Sequence, residues 1–365
     1  QLFDALVSPV LGYCSEVWAP TLLRLCHDPD ACMDNELHRV QSLFMRQVLG
    51  GLRRSTLRQL MLRELGWAPM VRAWLQSMLA LWNRMADLPE ASLLGAALQD
   101  NISLAASAQV GWYHDFCGFV ERVGCAPEGG LEEAGVLTKV YVPSALRLFD
   151  SWFYSCWQDL PDSPRTAPPD VVSCCTYQQW FAREGGPLAD PLTLLDRGRW
   201  SDPPGYVRWS ACMPRSKLRA LACFRVGAHD LEVQTLKWQG VPREDRLCKL
   251  CGSGVGDELH MVTECVHYAA VRQRHHLLFD CLGGWQHVVE RSVSPAEFRQ
   301  FMCQEQHLVA AFLYECSQRR WQNPPAELLE VVDGGELAAS EDEAIIDAVH
   351  GNLLDLFPDD LLDDL

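Results

Sequence analysis

Residues 247–265, LCKLCGSGVGDELHMVTEC, contain three cysteines and one histidine in the order Cys-x2-Cys-x8-His-x4-Cys. Zinc prefers four nitrogen or sulfur ligands in a tetrahedron, and a structural site takes all four from the protein. A tight turn would aim the first two thiols at one point, and a helix capped by Asp257 would present a histidine in its first turn. The pattern therefore predicts a structural Zn2+ site whose ligands are Cys248, Cys251, His260 and Cys265.

The sequence leaves other interpretations of this cysteine cluster open. The chain has 16 cysteines, so a Cys-x2-Cys pair can arise by chance. A redox-active pair is a second alternative, although no preceding strand and no directly following helix support it. Rival candidates for the fourth ligand are His267, His275 and His276. We favour His260 because its four-residue gap to Cys265 is tight, and we interpret RQRHH at 272–276 as a cationic helix face.

The sequence favours helices over strands along most of its length. Apolar residues recur at intervals of three and four in the stretches 37–49, 74–85 and 149–160, which is typical of helices that bury one face. Asp34 is expected to cap the first of these helices, and Ser294 with Pro295 indicates the start of a last helical region near 294–320. We therefore expect a mainly α fold.

Proline-rich stretches at 160–170 and 196–205 divide the chain and place a boundary near residue 200. The domain organisation that we expect is a helical region at 1–95, a mostly helical linker region with proline-rich breaks at 96–204, a zinc module at 205–285, a C-terminal helical region at 286–325 and an acidic tail at 326–365.

The net charge of −17 is distributed unevenly. From Glu327 to the end there are 13 acidic residues and no lysine or arginine, so the rest of the chain carries only −4. Residues 36–75 contain seven arginines, and residues 208–249 contain nine lysines and arginines. Arginine suits phosphate contacts and stacking. On charge alone, ordinary solvated helix faces are the favoured explanation of these two basic stretches.

The acidic tail ends in EAIIDAVHGNLLDLFPDDLLDDL, residues 343–365, where carboxylates alternate with leucine and isoleucine. Such a composition is typical of a disordered, solvating segment. An alternative is an acidic-hydrophobic motif that docks on a protein partner.

The cysteines are spread along the chain without the dense spacing of a small secreted scaffold, which favours reduced thiols and an intracellular location, nuclear or cytoplasmic. No run of about 18 apolar residues occurs, so we expect no membrane-spanning helix. The chain begins at Gln1 with apolar periodicity rather than a basic signal region, which suggests a fragment of a larger protein.

Residues 219–274 resemble the zinc-binding module that follows the reverse transcriptase of non-LTR (LINE-type) retrotransposons. The shared features are Arg-Val-Gly at 225–227, the run R-x-C-x-x-C-G at 246–252, Glu258 before the histidine and Arg272 after the last cysteine. The segments LFDALVSPVLGYCSEVWAP, ELHRVQSLFMRQVLGGLRRST and LRELGWAPM resemble the helical thumb and connector of the same elements. The family often has tyrosine-glycine-x-glutamate-x-tryptophan where this chain has Tyr13 to Trp18, with Cys14 in place of the glycine.

This resemblance implies a helical thumb-like region, a CCHC zinc module and binding of RNA or single-stranded DNA. The residues that it suggests for phosphate contacts are Arg215, Lys217, Arg219, Arg225, Arg246, Lys249, Arg272 and Arg274, and Trp238 could stack on unpaired bases. Residues 96–200 and the tail are not covered by the resemblance.

Polymerase and nuclease motifs are missing from the sequence. Polymerases hold two Mg2+ ions with paired aspartates, whereas the adjacent aspartates here, at 359–360 and 363–364, lie in the acidic tail. The family's nuclease uses a lysine, and no lysine follows Lys249. We therefore expect no catalysis by this polypeptide. The alternative to nucleic-acid binding is a structural or protein-interaction fragment that zinc merely stabilises; a catalytic zinc is disfavoured because four protein ligands leave no position for water.

Overall fold

A computed structural model describes residues 3–155, 172–181, 205–208, 212–289 and 291–322. The expected mainly α fold is confirmed, because helices dominate these ranges and they contain no strand. One isolated antiparallel bridge joins Leu247 to Val255. The acidic tail, the proline-rich stretches and the residues of the third apolar stripe beyond residue 155 lie outside the described residues, so the expectations for them stay predictions.

Ten helices of eight residues or more occur in the described ranges. They are α1 (Ser15–Leu23), α2 (Glu36–Val48), α3 (Arg58–Leu65), α4 (Met70–Ala86), α5 (Leu93–Ala106), α6 (Trp112–Arg122), α7 (Tyr141–Phe153), α8 (Arg215–Arg225), α9 (Pro295–Met302) and α10 (Gln306–Gln322).

Shorter helical turns connect them. The α-helical turns are Ser8–Leu11, Pro29–Cys32, Gly130–Ala134, Val172–Thr176, Gly205–Arg208, Glu232–Thr235 and Ala269–Arg274. The wider π-helical turns are Phe3–Val7, Tyr177–Phe181 and His260–Glu264, and the 3-10 turns are Leu236–Gln239, Arg243–Asp245, Val266–Tyr268 and His276–Leu282.

Helix α4 is the centre of the N-terminal half and packs against α1, α5 and α7. Its predicted apolar stripe is largely confirmed, since Trp74, Met78, Trp82 and Met85 are all buried. The Trp74 indole donates to the carbonyl of Leu11, which fixes the N-terminal turn to the helix. Burial of these large side chains removes apolar surface from water and so stabilises the packing of the N-terminal helices.

The start and the buried face of α2 differ from the sequence expectation. Asn35, not Asp34, caps the helix, because the Asn35 side chain accepts a hydrogen bond from the His38 backbone N–H. The buried face carries His38, Gln41 and Met45, whereas Val40 is 42% exposed. Gln41 can be buried because its side-chain amide donates to the Ala68 carbonyl. Such hydrogen bonds decide which face of the helix is buried, and a count of apolar positions does not include them.

The C-terminal part is built on α8 and α10, which pack along each other. Helix α9 begins with the predicted Ser294-Pro295 signal, and Ser294 and Glu297 form a reciprocal capping box. Helix α9 also packs against the turn Tyr177–Phe181, and one continuous set of buried apolar side chains runs through both halves. No helix in the described ranges is long and apolar enough to cross a bilayer.

Candidate metal centre

The first two ligand residues sit in a tight turn. The bridge between Leu247 and Val255 closes it, the Cys248 N–H donates to the Gly254 carbonyl at 2.8 Å, and the Gly252 N–H donates to the Cys248 carbonyl at 2.7 Å. These bonds fold residues 247–255 back on themselves and hold the two thiols on the same side of the turn. The sequence expectation for Cys-x2-Cys is therefore met by the local geometry.

The other two ligand residues lie at the start and the end of one helical turn. Asp257 caps it as predicted, with its Oδ1 accepting from the His260 N–H at 2.9 Å. The turn His260–Glu264 is π-helical, and Cys265 follows it in extended conformation. The Cys265 N–H still donates to the His260 carbonyl at 2.8 Å, so the widened turn brings the last cysteine back toward the histidine.

The four side chains form one compact cluster. Their ligand atoms all lie within 4.8 Å of one another, with Cys248 Sγ 3.9 Å from Cys265 Sγ and Cys251 Sγ 3.2 Å from His260 Nε2. A tetrahedral zinc with bonds of about 2.3 Å to sulfur and about 2.0 Å to nitrogen requires ligand separations of roughly 3.5 to 3.8 Å. The cluster therefore has a geometry that could hold a four-coordinate metal ion.

The rival histidines do not join this cluster. His275 lies 3.1 Å from the carboxylate of Glu315, and His267 and His276 are exposed. The cluster that the described residues form contains only His260 as its imidazole. The structure therefore groups His260, and none of the other three histidines, with the three cysteines.

The charge state of the cluster also suits a cation. The hydrogen bond from Cys265 lowers the pKa of the Cys248 thiol to about 3, so a thiolate is stabilised in place. Burial lowers the pKa of His260, but hydrogen bonds to Cys248 and to Glu264 outweigh it and raise that pKa to about 10. A metal ion would displace the proton of this imidazolium and take over the neutralisation of the thiolate.

Glu264 orients the histidine ligand. Its Oε2 lies 3.0 Å from His260 Nδ1, which leaves Nε2 to face the thiols. A Cβ on Gly254 would lie 3.0 Å from the same Nδ1, so the small residue leaves room for the ring. Carboxylate partners of this kind fix the tautomer and the orientation of metal-bound histidines.

Two arginines of the family pattern are structural rather than exposed, which corrects the expectation that they contact phosphate. Arg246 is buried and donates to the carbonyls of Val241 and Val233, both at 2.9 Å. Arg272 is fully buried and donates to the Cys265 carbonyl at 2.7 Å. These guanidinium groups hold the two sides of the metal loop and do not face solvent.

Arg225 requires the same correction. It is buried and forms an ion pair with Glu64 of α3, whose carboxylate also accepts from the hydroxyls of Tyr177 and Tyr206. This network joins the N-terminal helices to α8. A guanidinium that is committed to a buried carboxylate is not available to a nucleic-acid phosphate.

The remaining predicted contact residues are at or near the surface, although not all in one place. Arg215 and Arg219 are exposed on one side of α8, Lys217 is half-buried on the opposite side of that helix, and Lys249 is exposed in the metal turn. Arg274 is exposed but pairs with Glu315 at 2.8 Å. Trp238 lies in the turn Leu236–Gln239, and its side chain is outside the described residues.

The structure adds contact candidates that the sequence analysis did not name. Gly50 packs so closely on α8 that a Cβ at this position would lie 2.8 Å from the Arg219 Cα, and Arg215 donates to the Gln47 side chain at 2.5 Å. Arg53 is therefore brought beside α8, and its neighbour Arg54 is exposed in the same turn. We call the side chains of Arg53, Arg54, Arg215 and Arg219 the basic face, in which Arg53 also pairs with Asp230. The sequence signal that could have identified these arginines is the density of arginine in residues 36–75.

Two acidic residues before the histidine also have defined roles. Glu258 is fully buried with its carboxylate 2.7 Å from His229 Nε2, and Asp257 accepts from Arg243 at 2.8 Å as well as capping the turn. These pairs attach the metal turn to the end of α8 and to the turn Arg243–Asp245.

Comparisons with known proteins give no relative for this chain. No family model matches it, and no similar protein was found among curated sequences or among solved structures. The class that the fold and the site define is therefore a mainly helical protein with a Cys3His cluster of metal-binding geometry.

Proposed function

We propose that the chain is a nucleic-acid-binding C-terminal part of a protein similar to a non-LTR retrotransposon reverse transcriptase, with a structural Zn2+ and no polymerase centre of its own. The preferred ligand is RNA or single-stranded DNA. The observation that carries the proposal is the basic face, in which two basic stretches about 160 residues apart in sequence meet beside Gly50 and Arg219.

The zinc would have a structural role. Three thiols and one imidazole close all four positions of a tetrahedron, so no position remains for a reactive water. The ligand set of soft thiolates with one imidazole favours zinc among the common divalent ions. The metal would hold the turn Cys248–Cys251 against the turn His260–Glu264 and so fix the surroundings of α8.

Position 14 also supports the resemblance. Cys14 has φ of +52°, a left-handed conformation that favours glycine, and the retrotransposon family often has glycine at the corresponding place. The backbone conformation at position 14, in the turn before α1, therefore favours the glycine that the family often has there. The observation concerns one residue and adds to the proposal without carrying it.

The metal content is tested by mass spectrometry on purified full-length protein. We expect about one zinc per chain, lost in Cys265→Ser, whose thiol is buried in the cluster. Cys303→Ser is the matched control, because Cys303 is an exposed thiol outside the cluster. A wild-type chain that is folded but free of metal would contradict the structural role of zinc.

Nucleic-acid binding is tested by fluorescence anisotropy with a labelled single-stranded RNA at two salt concentrations. Each phosphate contact adds a slope of about −0.7 to the plot of log affinity against log salt for single strands. We expect Arg219→Ala, in the basic face, to weaken binding at low salt and to reduce the slope. Lys139→Ala removes an exposed lysine from another loop and should leave both unchanged.

The second candidate function is a zinc-stabilised structural or protein-interaction fragment that binds no nucleic acid. The net charge of −17 favours it, because an acidic protein repels a polyanion. Absence of RNA binding even at low salt, together with a full complement of zinc, would select this alternative. In both cases thiolate ligands require a reducing compartment, so we place the protein inside the cell, with nucleus and cytoplasm both open.

A further inference from the structure

A cavity of about 510 Å³ lies between α8 and α10, next to the basic face. Arg53, Arg219 and Arg320 line it, and part of its wall is apolar, formed by Phe224, Met261 and Leu313. The cavity thus combines positive charge with apolar surface. Such a combination fits an extended or helical segment that carries both carboxylates and aliphatic side chains.

The charge of the cavity is positive after its internal pairs are counted. Asp230 is the acidic residue among its lining side chains in the described part of the chain, and it pairs with Arg53. Arg320 pairs with the buried carboxylate of Glu232. Arg219 is an exposed residue of the lining, so the lining as a whole keeps a positive charge.

The same chain contains a segment of matching chemistry. Residues 343–365, outside the described residues, carry seven carboxylates and no lysine or arginine, interleaved with isoleucine, leucine and phenylalanine. Helix α10 forms one wall of the cavity and ends at Gln322, so 20 residues separate the wall from this segment. A tether of that length can span up to about 65 Å, and tethering raises the effective concentration to roughly millimolar.

We infer that residues 343–365 dock in cis into the cavity between α8 and α10. Their aliphatic side chains occupy the apolar wall, and their carboxylates lie toward Arg219. The docked segment covers part of the basic face and competes with any polyanion for it. This contact does not depend on nucleic-acid binding, so it goes beyond the proposed function.

The test uses the full-length protein and a zero-length carbodiimide cross-linker, which joins a carboxylate to a lysine amine in direct contact. The chain has four lysines, and Lys237 is buried, so Lys139, Lys217 and Lys249 are the reporters. Lys217 is the reporter near the cavity, because it follows Ser216, which lines it. We expect cross-links from 343–365 to Lys217 within one chain to exceed those to Lys139 and Lys249 by roughly ten-fold at low salt, and to decline at high salt.

Two full-length variants give the matched comparison. In the first, the seven acidic residues of 343–365 are replaced by asparagine or glutamine. The carboxylates of residues 327–342 should then not form cross-links to Lys217 in their place. In the second, the six acidic residues of 327–342 are replaced instead, which changes the net charge almost equally but leaves the docking segment intact. Its remaining cross-links from 343–365 to Lys217 should persist.

A third variant, Arg219→Glu, should reduce the cross-links to Lys217 several-fold while the protein keeps its helical circular dichroism. Cross-links spread evenly over the three lysines, or formed only between two chains, would overturn the cis docking. The cross-linking is done without RNA, so its outcome does not depend on whether the chain binds nucleic acid.

Discussion

The Glu64 carboxylate of α3 and the Arg225 guanidinium of α8 form a buried ion pair that joins two halves of the chain 161 residues apart. The hydroxyls of Tyr177 and Tyr206 complete the hydrogen bonds of the carboxylate. Because the pair is satisfied on both sides, its value lies less in net stabilisation than in fixing which surfaces meet. It therefore helps to set the position of α8, and with it the basic face.

We predict that Glu64→Ala destabilises the protein by about 3–5 kcal/mol, since it leaves the Arg225 charge buried without a partner. The measurement is urea unfolding followed by circular dichroism. Glu36→Ala is the control, because Glu36 forms an exposed pair with Arg39 and should cost less than about 1 kcal/mol. Equal effects of the two substitutions would show that the Glu64 pair is not buried in solution.

Removal of the Glu264 carboxylate should weaken metal binding without removing a ligand. Since Glu264 orients His260 through Nδ1, we expect Glu264→Ala to lower zinc affinity about 10- to 100-fold in competition with a chelator. Glu244→Ala is the control, as Glu244 is an exposed carboxylate near the same module. Unchanged affinity in Glu264→Ala would mean that the carboxylate does not orient the ring.

Cys14→Gly should stabilise the fold, because a residue with a Cβ at φ of +52° costs of order 1–2 kcal/mol. Glycine removes this strain, but its greater conformational freedom in the unfolded chain offsets part of the gain. We expect a net gain of about 0.5–1 kcal/mol in urea unfolding. Cys14→Ala removes the thiol but keeps the Cβ, so it should give no gain. A gain in both variants would assign the effect to the thiol.

Gly50→Ala should move the loop after Gly50 away from α8. The added Cβ would lie 2.8 Å from the Arg219 Cα, in addition to the strain of φ at +84°. Gly124→Ala is a matched control, with φ of +69° and nothing within 4 Å of the added carbon. We expect Gly50→Ala to cost about 1–3 kcal/mol more than the control in urea unfolding, since overpacking adds to backbone strain. A similar cost for both would refute the close approach.

The buried His38 should make stability depend on pH. Burial lowers the pKa of His38 to about 3, from 6.5 in the unfolded chain, so the unfolded state binds more protons between these values. Stability should therefore fall as the pH drops below 6.5, by up to about 1.4 kcal/mol per pH unit from this group. His38→Gln should have a shallower slope in urea unfolding between pH 4 and pH 7. Parallel slopes would show that the ring is accessible to protons in the folded state.

Local sequence patterns determined much of this protein. The helical class, the stripe on α4, the Ser294 cap and the four cluster residues all depend on spacings shorter than about twenty residues, and local backbone geometry sets such spacings. The same reasoning was wrong for the cap and the face of α2. There, hydrogen bonds made by Asn35 and Gln41 decided the outcome, and apolar periodicity does not register them.

Only the tertiary structure determined which basic residues are exposed and which are buried. Arg225, Arg246 and Arg272 have the same charge as Arg219, yet burial against Glu64 or against backbone carbonyls removes them from the surface. The meeting of the loop after Gly50 with α8 was equally invisible in the sequence, because it depends on packing between segments far apart in the chain. The sequence determined which side chains could bind a metal or a phosphate, and long-range packing determined which of them face outward.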